Sequence, residues 1–71
     1  MTPALLREAG EALYGPHWQS ELARYLDVSD RTMRRWASAR WPVPATIVPE
    51  LRALLKARGS VLVSILRKMP R

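Results

Sequence analysis

Residues 19–38 read QSELARYLDVSDRTMRRWAS, and their spacing predicts two short helices joined by a tight turn. Leu22, Ala23 and Leu26 fall at i, i+1 and i+4, which places them on one helical face. Val28 follows in the turn. Ser29 is suited to cap a second helix through its hydroxyl, and Asp30 suits the positive end of that helix's dipole. Met33 and Trp36 then share a face, while Arg31, Arg34 and Arg35 point away from it. The predicted helices span about 18–26 and 30–39.

Two helices locked by a small apolar seam, with guanidinium groups on the outer side of the second, suit the major groove of a nucleic-acid duplex. The stretch resembles helix-turn-helix domains of the phage-repressor type, related to Cro and lambda repressor. With Gln19 as the first motif position, Ala23 takes the close-packed fifth and Val28 the apolar turn. Met33 and Trp36 take the buried positions of the recognition helix. The ninth position, usually Gly, is Asp27 here, a residue that tolerates the left-handed turn better than most. The resemblance implies that Gln19 approaches a phosphate and that Asp30, Arg31, Arg34 and Arg35 face the groove. Ser29 and Thr32 serve the cap or the backbone. Arg40 lies on the loop that commonly follows the DNA backbone in that family. The implied fold is all-α, a small four- to five-helix repressor-like bundle forming one domain over residues 1–71.

Charge is distributed to match. The chain carries a net +6, but residues 1–30 sum to −3 while residues 31–71, with Glu50 as their sole acid, sum to +9. The change falls where the second helix begins, which marks a polyanion-facing half. A guanidinium can donate two hydrogen bonds to guanine, so Arg34 and Arg35 are the leading base readers; the bland alternative is phosphate neutralisation.

Outward from this stretch, Thr2 and Pro3 open a first helix over 3–14, with Leu5, Leu6, Ala9, Ala12 and Leu13 as its apolar stripe. Gly10 costs that helix about 1 kcal/mol relative to Ala and suits close packing. Gly15-Pro16 ends it. Trp18 is expected in the core or stapled at the next helix, and Trp36 in the core. Arg40-Trp41-Pro42-Val43-Pro44 reads as an extended loop. Trp41 there reaches a phosphate or folds back on the core, the core being preferred. A last pair of helices is expected over 45–69: one with Ile47, Val48, Leu51, Leu54 and Leu55, stopped by Gly59, and one capped by Ser60. Val61-Leu62-Val63 also suits a short strand, with helix preferred. Arg52, Lys56 and Arg58 form a basic edge, solvated by default.

Seventy-one residues lie near the lower limit for a self-sufficient core, so association helps. A homodimer on a two-fold DNA operator is expected, joined through Val61, Leu62, Ile65, Leu66 and Met69; packing of these residues onto the first helix is the alternative. With no Cys and a lone His17, neither thiolate metal sites nor nucleophilic triads have the residues they need. No enzyme, metal, cofactor or small-molecule ligand is therefore expected. No apolar run is long enough to span a bilayer, and the N-terminus does not read as a secretory signal, so the cytoplasm is expected. The function expected is a DNA-binding transcriptional regulator that represses by occluding a promoter. A protein-interaction module such as an antitoxin or adaptor, or a nucleic-acid binder of low specificity, is the alternative.

Overall fold

The computed structural model describes residues 1–71, and it is helical without any strand. Helix α1 spans Pro3–Tyr14, α2 Trp18–Leu26, α3 Asp30–Ala37 and α4 Val48–Lys68, with 3-10 turns at Gly15–His17 and Ala45–Ile47. Local chemistry accounts for the boundaries. Thr2 Oγ1 accepts from the Leu5 amide at 3.1 Å with Pro3 at the first position, as expected for an N-terminal cap. Gly15, at φ +79°, ends α1.

The turns after α2 and α3 have the same construction. Asp27, at φ +58°, lets its own amide reach the Arg24 carbonyl and the Val28 amide reach that of Ala23. Ala39, at φ +64°, does the same, its amide bonding the Trp36 carbonyl and the Arg40 amide that of Arg35. Both are Schellman closures with a side chain where glycine is usual. Asp27 thus adopts the conformation expected of it. Between the two helices, Ser29 Oγ accepts from the Thr32 amide at 3.1 Å and starts α3.

One core holds these elements together. Leu6 and Ala9 of α1 meet Trp18, Leu22, Ala23 and Leu26 of α2 and Met33, Trp36 and Ala37 of α3. Leu51 and Leu54 of α4 join them, with Val43 and Ile47 from the connecting segment. Trp18 and Trp36 are buried as expected. Leu5 and Ala12 are exposed, so the apolar stripe of α1 is narrower than its sequence implies. Gly10 faces the Trp18 indole, where a methyl group would overlap the ring. Its missing side chain is what lets α1 and α2 approach.

The C-terminal half departs from expectation. In place of two helices, α4 runs unbroken through Gly59 and Ser60 to Lys68. Gly59 keeps an ordinary helical backbone; a glycine ends a helix by turning left-handed, and only Gly15 does so. The stop comes instead from Pro70, which holds Met69 extended at ψ 141°. The strand alternative at 61–66 is excluded. The helix opens with Pro49 in its first turn, where a missing amide hydrogen costs no intrahelical bond. Beyond Arg58 it leaves the body behind, with no residue from 60 to 71 buried, and the molecule measures 45 × 23 × 20 Å. No helix is long and apolar enough to cross a membrane.

Candidate functional site

Helix α3 turns Met33, Trp36 and Ala37 inward, so its other side is set by elimination. Arg31, Arg34, Arg35 and Ser38, together with Arg40 from the following loop, line one open concavity of about 370 Å³. No carboxylate enters it. The sole ion pair of the molecule joins Arg24 to Glu21 at 3.4 Å, within α2. Four guanidinium groups therefore share one depression without an anionic partner.

Of the residues expected at the site, Arg31, Arg34, Arg35 and Arg40 are thus brought together. Gln19 sits beside them in an adjoining hollow with Arg7, Arg34, Ala37 and Ser38. Ser29 and Asp30 lie apart, at the N-terminal end of α3, in a third hollow shared with Ser20, Arg24 and Asp27. Thr32 is half-buried and its Oγ1 accepts from the Ser29 hydroxyl at 2.9 Å. That hydroxyl pair is engaged in the cap, leaving Ser29 and Thr32 as residues that fix where α3 begins.

Trp41 departs from the core placement preferred on sequence grounds. It is 54% exposed, and the Arg35 guanidinium carbon lies 4.5 Å from its ring centroid. The cause is local. The Arg35 carbonyl accepts from both the Arg40 and Trp41 amides, which turns the chain back across the end of α3 and lays the indole on the side chain of Arg35. Val43, two residues on, takes the core position instead. Arg35 is accordingly half-buried and held in place, whereas Arg31 and Arg34 are exposed.

Arg7 and Ser38 also line this surface, beyond the residues expected there. Ser38 follows Arg34 by four residues, so helical spacing alone carried that signal. Arg7 carried none. It joins the surface because α1 packs across the end of α3, where its Nη2 donates to the Ala37 carbonyl at 3.2 Å. This contact places a cation at a helix C-terminus, where the dipole favours it.

Comparison with protein-family models, characterised proteins and solved structures finds no match.

Proposed function

We propose that this protein binds duplex DNA sequence-specifically, with α2 and α3 acting as a helix-turn-helix and α3 lying in the major groove. The unpaired cluster of Arg31, Arg34, Arg35 and Arg40 carries this reading. Like charges gathered without a counter-ion attract a polyanion, and guanidinium groups suit both phosphate and guanine edges. The all-helical body and the resemblance of residues 19–38 to phage-repressor-type domains support it. Arg31 and Arg34, exposed on the outermost side of α3, are assigned to base edges. Arg35, Arg40 and Gln19 are assigned to the backbone on either side, and Asp30 to the dipole of α3. Occlusion of a promoter would then make the protein a repressor, acting where the DNA is, in the cytoplasm.

The experiment is selection from randomised duplexes at near-physiological salt, followed by titration of the selected site. Arg34→Ala should cost about 1–3 kcal/mol and relax preference at one base pair. The logarithm of affinity should fall with the logarithm of salt at about 0.9 per neutralised phosphate. Failure to enrich any sequence from the pool would reject specific duplex recognition.

A further inference from the structure

Residues 1–30, of net charge −3, contain two basic side chains, Arg7 and Arg24, and the fold uses them differently. Arg24 is paired with Glu21 at 3.4 Å. Arg7 has Glu11 one turn further along α1, at the i,i+4 spacing that ordinarily joins opposite charges, yet it makes no ion pair. Its Nη2 instead donates to the carbonyl of Ala37, the last residue of α3, at 3.2 Å. That carbonyl is one of the four that a helix leaves without an intrahelical partner. A guanidinium has five N–H donors, and this bond uses one of them. The others stand where α1 meets the end of α3.

We infer that Arg7 is a DNA-phosphate contact, sharing one phosphate with Gln19 and Ser38 and extending the binding surface from the helix-turn-helix onto α1. The inference rests on the DNA-binding reading. Arg7, Gln19, Arg34, Ala37 and Ser38 line one open hollow of about 350 Å³. Its polar side chains are two guanidinium groups, an amide and a hydroxyl, all able to donate, and no carboxylate is among them. Phosphate oxygens accept several such bonds at once, and a guanidinium fork meets them in pairs. Arg34 and Ser38 also line the arginine concavity, so the two hollows share a wall. The hollow at the other end of α3 is the contrast. Asp27 and Asp30 stand there with Arg24 as the one cation. An anion is therefore drawn to the first two hollows and repelled from the third.

The bond to Ala37 also settles what kind of contact Arg7 can make. It holds the guanidinium against α3 before DNA arrives, so less side-chain freedom is lost on binding than for the unanchored Arg31 and Arg34. It also ties Arg7 to the end of α3 rather than to its outermost side, which suits the DNA backbone and not a base edge. Phosphates carry no sequence information, so Arg7 should add affinity equally at every site.

Binding of the full chain to a short duplex of mixed sequence, measured by fluorescence anisotropy over a range of salt, tests this. Arg7→Met keeps an apolar stem and removes the charge and its donors. Its slope of log affinity against log salt should be about 0.9 smaller than the parent's, so that across a fourfold rise in salt it loses about 3.5-fold less affinity. Arg7→Lys retains the charge and should keep the parent's slope. Arg24→Met removes the same charge beside the acidic hollow and should keep it too. In the parent, the Arg7 Nε–H resonance should shift on addition of the duplex while that of Arg24 stays in place, a measurement that needs no substitution. A lowered thermal midpoint for Arg7→Met with an unchanged slope would make Arg7 a tie between α1 and α3 only and overturn the inference. So would an unmoved Arg7 resonance at saturating duplex, or an equal fall in slope for Arg24→Met, which would reduce the effect to net charge. Absence of any duplex binding by the parent would instead refute the DNA-binding reading, and this inference with it.

Discussion

Two glycines lie inside helices of this protein, and substituting alanine at each should have opposite effects. Helix propensity alone favours alanine by about 1 kcal/mol at either position. At Gly59 nothing lies within 4 Å of the new methyl group, so Gly59→Ala should recover most of that preference, as increased helicity of α4. At Gly10 the methyl carbon would sit 2.5 Å from Trp18 Cδ2 and 3.0 Å from Cγ, and against Cε3 as well. Carbon atoms rest at about 3.5–4.0 Å, so the ring must retreat by about 1 Å. Trp18 is 3% exposed and held on its other side by the core, and such overpacking costs about 1–3 kcal/mol. The net expectation for Gly10→Ala is a loss of about 1 kcal/mol, a fall in Tm of about 4–8 °C for a domain of this size. Urea and thermal unfolding, followed by tryptophan fluorescence and far-UV circular dichroism, measure both variants. Trp18→Leu in the same chain should reduce the penalty of the added methyl, a coupling visible in a double-mutant cycle. The reasoning is refuted if Gly10→Ala is as stable as the parent, or if the cycle shows no coupling.

The left-handed residues give a ranking. Ala39→Gly should stabilise by about 0.5–1 kcal/mol by relieving a methyl group at φ +64°, and Asp27→Gly by less because Asp tolerates that region; the order of the two thermal midpoints checks it. Trp41→Leu should remove an upfield ring-current shift from the Arg35 side-chain protons by NMR, while costing about 0.5–1 kcal/mol or less in stability, because the stack is exposed. Trp41 is also the one exposed tryptophan of three, so DNA bound on α3 should shield it from acrylamide quenching. Unchanged quenching at saturating DNA would place the ligand elsewhere.

What the sequence reveals well here is chemistry that acts within a few residues. Thr2 and Ser29 announce their helices because a hydroxyl satisfies an amide three positions on, and Leu22, Ala23, Met33 and Trp36 are inside because their spacing leaves no alternative. Gly59 misleads because glycine permits a left-handed turn without requiring one, and the next residues keep the helix going until Pro70 forbids it. Trp41 misleads for a different reason. Its size and hydrophobicity suit a core, but two amides converging on the Arg35 carbonyl fix the loop's direction, and the inward position goes to Val43. Arg7 is illegible altogether, since its place beside Arg34 depends on how α1 crosses α3.

Two features of this chain oppose the stability of a single copy, and neither is needed to form the fold. Four arginines around one concavity repel one another; at about 10 Å in water each pair costs about 0.4 kcal/mol, so the set costs roughly 2 kcal/mol before salt screens it. The bare half of α4 leaves apolar side chains in water and a short helix without support. Against a total stability of about 5–15 kcal/mol for ordinary domains, these are appreciable fractions for a body with fourteen buried residues. Neither cost arises from packing, because acids at the cluster or serines on the overhang would remove it without touching Leu6, Leu22 or Met33. An anionic ligand would offset the arginine repulsion, and any cover that excluded water from the stripe would offset its exposure. The two sites also lie on different elements, the cluster on α3 and its following loop and the stripe on α4. An occupant of one would therefore leave the other open.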